Sequence, residues 1–95
     1  MTTLDEAHGR LLAHIEDRQH SGVEIPCRGP DSAAWIAEDR QQQDFAVDQC
    51  HRCPVLEQCA EYALTYQEPA GTWGGLTTAR RMSLRRAQAA GRAAA

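Results

Sequence analysis

Lysine is absent from this chain of 95 residues, phenylalanine occurs once, and large aliphatic side chains are scarce. Hydrophobic residues of all kinds reach 42%, but 16 of them are Ala, and Leu, Ile, Val and Phe together number only 14. That is about 15% of the chain, below the roughly 20% under which a composition starts to resemble disorder. Ordering a residue costs roughly 1.5 kcal/mol, so a core this thin needs something besides hydrophobic burial to hold it. Long apolar runs are missing too. The longest, Ala33-Ala34-Trp35-Ile36-Ala37, falls far short of the ~20 residues that cross a bilayer. These shortages exclude a multidomain enzyme, a Rossmann or barrel fold, and a membrane span. Residues 1 to 18 mix acids and bases and lack the order of a secretory signal. The expected location is therefore the cytoplasm, where cysteines serve more often as metal ligands or redox groups than as structural disulfides.

What charge there is lies unevenly. Residues 1–50 carry ten acids and four Arg, whereas residues 51–95 carry three acids and six Arg. The last twenty residues hold five Arg and no acid. A GC-rich coding bias accounts for Arg in place of Lys but not for this segregation. An acidic body with a basic tail suggests two partners, or one partner and a nucleic acid.

Local signals predict a small all-α domain of about four helices spanning 1–95. Thr3 and Glu6 have capping-box spacing, and Leu4, Ala7, Leu11 and Ile15 give one apolar face, so a helix is expected over 4–18. Pro26 and Pro30 keep 23–30 out of helix. Asp31 or Ser32 can cap a short segment carrying Trp35 and Ile36, and 41–49 reads as a second long helix. Pro54 suits the first turn of a helix over 55–67, with Val55, Cys59, Ala63 and Tyr66 on one stripe. Gly71 to Gly75 reads as a turn, and Thr77 or Thr78 can cap a last helix through Ala90. The expected organisation is thus an N-terminal helix, a core over 25–75 and a basic segment over 76–95.

Four cysteines supply the chemistry: Cys27, then Cys50 and Cys53 as a C-x2-C pair, then Cys59. An all-thiolate set is soft and suits zinc or an iron–sulfur cluster. Structural zinc usually takes two short knuckles, whereas here one pair is close and two ligands are spread, which a four-iron cube tolerates better. Such a cube also supplies volume that the thin core lacks. With four thiolates its charge is formally about −2, which Arg28 and Arg52, each beside a ligand, can offset in part. Zinc on four Cys, or on three Cys and His51, stays open on spacing. So does a redox pair at Cys50 and Cys53, although the βαβ setting of such pairs is missing. His8, His14 and His20 read as solvated.

These residues resemble those of the WhiB-like (Wbl) family of actinobacterial and actinophage regulators. The resemblance covers roughly 25–86 and rests on Cys27, Cys50-His51-Arg52-Cys53-Pro54-Val55, Cys59, Glu61-Tyr62-Ala63-Leu64, Gly71-Thr72-Trp73-Gly74-Gly75 and the Arg-rich segment after them. It implies that the four cysteines hold a [4Fe-4S] cluster reactive toward oxygen or nitric oxide, in a non-enzymatic transcriptional regulator. It also implies that the primary sigma factor's C-terminal domain docks on the cluster-facing surface, with Trp35, Gly71, Thr72, Trp73, Gly74 and Gly75 as contacts. Thr72 stands where the family usually has Val, Ala79 where it tends to have an acid, and Ala34-Trp35 where it often has a Phe pair.

Glycines on both sides of Trp73 permit a tight reversal, and a large ring on a rigid turn is a good interface anchor. The same ring can also fold down onto the Leu56/Leu64 helix as core. Arg80, Arg81, Arg85 and Arg86 cover a broad helix face suited to phosphates, so DNA is an expected second partner through its backbone or minor groove. Alternatives of other classes are a protein-disulfide reductase using the apo cysteines and a zinc-stapled adaptor binding proteins through Trp73. No membrane and no small-molecule substrate other than O2 or NO is expected.

Overall fold

The chain opens with a side-chain cap. In the computed structural model, which describes residues 3–94, Thr3 Oγ1 accepts the Glu6 amide at 3.1 Å and starts α1, Leu4–His20. Asp5 and Glu6 in its first turn, with Arg18 and His20 in its last, match the helix dipole. Leu11 and Ile15 are buried, but Leu4 stays about half exposed, so the inward stripe is narrower than its sequence period. Ser21 caps the C-terminus, and Gly22 takes φ 81° to release the chain. The helix thus runs two residues past 18.

A 3-10 turn, Pro26–Arg28, and a 3-10 segment, Ser32–Ile36, follow in the region expected to be loop and short helix. Next comes α2, Arg40–Cys50, whose Gln42 amide donates to Asp39 at 3.1 Å. The third helix, α3, is shorter than expected: Leu56–Thr65. Val55 is still outside it, at φ −109°, and Gln67 adopts φ 55°, which ends the helical path before Pro69. The last, α4, spans Thr78–Ala94, beyond the expected end at Ala90, as its alanine-rich sequence favours. The Arg80 amide donates to Thr77 Oγ1 at 3.2 Å, so Thr77 supplies the cap. Met1, Thr2 and Ala95 belong to the expected 1–95 unit and lie outside the described residues. Among the described residues there is no strand, and no helix is long and apolar enough to cross a membrane. The fold class is all-α.

Two apolar patches form the interior. Leu11, Ile15, Ile25, Val55 and Tyr62 make the larger one, where α1 lies on α3. Ala34, Trp35, Ala46 and Cys50 make the other, where the Ser32–Ile36 segment lies on α2. Cys27 borders both. Tyr62 anchors the larger patch: its ring lies 5.6 Å from His8, 5.5 Å from Tyr66 and 5.5 Å from Trp73. Its hydroxyl donates to Glu68 Oε1 at 2.8 Å, and burial followed by this acceptor pushes the phenol up to about 12.

Residues 73–76 close a two-residue reversal. Trp73 and Leu76 exchange both amide hydrogen bonds, at 3.0 and 2.9 Å, while Gly74 and Gly75 take φ 55° and 77°. Positive φ at both central positions is what a type I′ turn requires. Gly74 is fixed for a second reason: a Cβ there would lie 2.5 Å from Ala60 Cα and 2.6 Å from Ala60 Cβ, so the turn sits directly on α3. We expect Gly74→Ala to cost well above the roughly 1–2 kcal/mol of a left-handed alanine, because backbone must also move. Gly9→Ala, inside α1 with nothing within 4 Å, should instead stabilise by up to ~1 kcal/mol. Paired thermal melts followed by circular dichroism check both.

Candidate metal centre

Each cysteine is delivered by a different piece of local structure. Pro26 opens the 3-10 turn that carries Cys27, with the Arg28 amide donating to Ile25 O at 2.9 Å. Cys50 is the last residue of α2, and the Cys53 amide folds back to Cys50 O at 2.9 Å. That bond makes the C-x2-C pair a tight turn. Cys59 lies on α3, one turn in from Val55. All four side chains line a single cavity of about 370 Å3. Its walls draw Leu11 and Ile15 from one apolar patch, Trp35 and Leu56 from the other, and Trp73 from the glycine turn.

The thiols are free, and none is paired in a disulfide. Among the described residues no three His, Cys, Asp or Glu side chains gather closely enough to hold one metal ion. Zinc–sulfur bonds are ~2.3 Å, so sulfurs sharing one zinc stand at most ~4.6 Å apart. The four donors instead surround a space. Burial pushes the Cys59 thiol up to about 12, with neighbouring thiols adding to the effect and the Gly74 backbone opposing it. Burial likewise raises Cys27 and Cys53, and Arg28 pulls Cys27 partly back. Four soft donors on one largely apolar wall suit a charge-balanced soft-metal group.

Arg28 lines the cavity, as its position beside Cys27 suggests. Arg52 does not: it points outward, 3.6 Å from Asp48. His51 is exposed, absent from the cavity wall, and placed against Gly75. His8 is exposed, as expected, and also borders the cavity, with its ring 5.6 Å from that of Tyr62.

Trp35, expected as a partner contact, is turned inward at 7% exposure. Its ring stands edge-on to Phe45 at 6.2 Å, and its indole N–H donates to Cys50 Sγ at 3.2 Å. Ile36 beside it is 79% exposed and occupies the outward position. Thr72 and Gly74 are also buried, leaving Gly71, Trp73 and Gly75 half-buried at the turn. Trp73 combines both readings of its ring. One part packs on Tyr62 and the larger patch, its N–H donates to Ala70 O at 2.9 Å, and the remainder reaches the surface.

The arginines of α4 divide. Arg80 and Arg86 are exposed. Arg81 is wholly buried, which removes it from the expected DNA face. Its Nη1 donates to Gly71 O at 2.7 Å and Leu76 O at 2.6 Å, and its Nη2 to Glu68 O at 3.2 Å. Burial, then the Arg85 cation, lowers its affinity for its proton, yet a guanidinium stays charged in proteins. Arg85 is half-buried and donates to Ala63 O at 3.2 Å on α3, so it too is committed inward. The signal that separates them was their four-residue spacing: Arg81 and Arg85 share one helix face with the apolar contacts, while Arg80 and Arg86 do not. Arg81 is the functional residue that sequence reasoning misplaced, for it fastens both flanks of the Trp73 turn.

Comparison with known proteins gives consistent matches. The family model described as transcription factor WhiB matches residues 22–84. The redox- and pH-responsive transcriptional regulator WhiB3 of Mycobacterium tuberculosis is 40% identical over 62 residues, covering 58% of this chain and 61% of its own length. The redox-responsive transcriptional regulator WhiB3 of Mycolicibacterium smegmatis is 40% identical over 76 residues, covering 73% and 76%. The transcriptional regulator WhiD of Streptomyces coelicolor is 38% identical over 65 residues, covering 61% and 58%. The chain therefore spans about three fifths of the length of the M. tuberculosis and Streptomyces relatives.

Replacing Arg81 by Met should leave the Glu68 carbonyl without its donor, at ~1–3 kcal/mol for a buried group, while Gly71 O keeps Thr78 Oγ1 at 3.4 Å and Leu76 O keeps the Trp73 amide at 3.0 Å. Urea unfolding of Arg81→Met is expected to show a loss of ~1–3 kcal/mol, while Arg80→Met stays within ~0.5 kcal/mol of the parent.

Proposed function

The chain belongs to the WhiB family of transcription factors, and on that premise we propose that it is a redox-responsive, non-enzymatic transcriptional regulator whose four cysteines hold a [4Fe-4S] cluster. The observation that carries this reading is the placement of Cys27, Cys50, Cys53 and Cys59 around one cavity. A four-iron cluster fits such a set better than zinc, because its ligands attach to separate corners. When bound, the cluster supplies a redox-active centre that dioxygen can oxidise and nitric oxide can attack. The chain's own part is to present four sulfurs, keep Leu11, Ile15 and Val55 between them and water, and place Arg28 near the added negative charge.

The partner reading follows from the family resemblance: the primary sigma factor's C-terminal domain docks on Trp73, with Gly71, Gly75 and the exposed Ile36 around it. The turn lies on the cavity wall, so a change at the sulfurs alters the footing of the docking surface. DNA contact falls to Arg80 and Arg86, the exposed members of the arginine set, near the promoter that the polymerase holds. The disulfide reductase alternative is disfavoured by the all-α fold, which gives Cys50 and Cys53 no βαβ setting among the described residues.

Protein purified without oxygen is expected to be brown and to contain about four iron and four sulfide per chain. Any single Cys→Ser change should lower both, and Trp73→Ala should abolish co-purification of the sigma domain while sparing the iron. A colourless protein holding one zinc would overturn the reading. For DNA, Arg80→Ala and Arg86→Ala should each weaken binding about equally across sequences. Each should also reduce the slope of log K against log salt by ~1, read by fluorescence anisotropy of a promoter duplex with the sigma complex present.

A further inference from the structure

The indole of Trp35 is the one side chain in the described residues whose hydrogen bond ends on a cysteine sulfur: Nε1 to Cys50 Sγ, 3.2 Å, with both residues 7% exposed. Indole has a donor and no acceptor, so the direction of the bond is unambiguous. Three contacts hold the ring in place: Phe45 edge-on at 6.2 Å, the Ser32–Ile36 segment that carries it, and its own carbonyl, which accepts the Thr72 amide at 2.7 Å. Phenylalanine would fill much of the same space and could not make the bond.

A donor aimed at a ligand sulfur withdraws electron density from it and favours whichever state of the bound group carries more negative charge. Hydrogen bonds to sulfur and solvent exclusion are the levers by which proteins set cluster potentials. We propose that Trp35 is a positioning residue that sets the redox potential of the group bound at Cys50, holding it more positive than the four cysteines alone would. The proposal rests on the cluster reading above. One electron is added to the cluster on reduction and removed on oxidation, and the indole keeps its proton throughout.

The test is a dithionite-poised titration of the anaerobically purified full chain, monitored by electron paramagnetic resonance, beside Trp35→Phe and Phe45→Leu. At the parent's midpoint, the reduced-to-oxidised ratio in Trp35→Phe should fall about tenfold, a shift of ~59 mV for one electron. Phe45→Leu, which disturbs the packing of the ring but not its donor, should move the ratio less than ~twofold. In the parent itself, isotope labelling of the indole nitrogen should give one hyperfine coupling to the reduced cluster, because Trp73 Nε1 is engaged by Ala70 O. This measurement stands even where Trp35→Phe fails to fold. An unmoved midpoint in Trp35→Phe, an equal shift in Phe45→Leu, or no nitrogen coupling in the parent overturns the assignment. Iron and sulfide analysis of the parent separates the two readings: none of either overturns both, whereas four of each with any of those results overturns this one alone.

Discussion

Four sulfurs on the walls of one cavity are the constraint around which the rest of the molecule is arranged. The cavity draws its walls from both apolar patches, so neither patch closes on itself. With so few large aliphatics, the chain has little apolar surface with which to join the two patches. A group bound by the thiols would join them, which is how metal binding becomes folding free energy in small domains.

The glycine turn and Arg81 solve a related problem. Gly74 must approach Ala60 without a Cβ, and the resulting reversal leaves carbonyls of Glu68, Gly71 and Leu76 turned into the protein. Buried carbonyls need donors, and a guanidinium offers several in a fixed fork. Arg81 meets three of these carbonyls from α4. The helix that carries the exposed arginines is thereby locked to the turn that carries Trp73. A lysine carries its three donors on a single nitrogen and lacks the planar fork that reaches carbonyls on both flanks of the turn. The absence of lysine from the chain is thus consistent with structural need at this position, whatever its origin elsewhere.

Much of this was legible because it is local. Thr3 and Thr77 cap helices by short-range bonds, prolines and glycines punctuate the chain, and the C-x2-C spacing makes Cys50 and Cys53 neighbours in any fold. The illegible part is where a side chain's partner lies far along the chain. Arg81 reads as a phosphate ligand until the carbonyls ten and thirteen residues before it are known to face it. Trp35, which the family resemblance makes a partner contact, turns inward because Cys50, fifteen residues on, takes its N–H. The narrowing of the α1 stripe at Leu4 has the same cause: periodicity reports which face is apolar, not how far the neighbouring helix extends.

Trp35 also joins the two functional surfaces. Its indole touches Cys50 on the cavity wall, while its carbonyl holds the Thr72 amide at the base of the Trp73 turn. Gly71 is pressed against that same carbonyl, since a Cβ there would stand 3.2 Å from it. Cys50 and the turn therefore share one residue as a hydrogen-bond partner. Coupling of this kind is reciprocal by thermodynamic necessity. If a group held by the sulfurs favours the geometry that a partner grips at Trp73, then the partner favours retention of that group by the same factor.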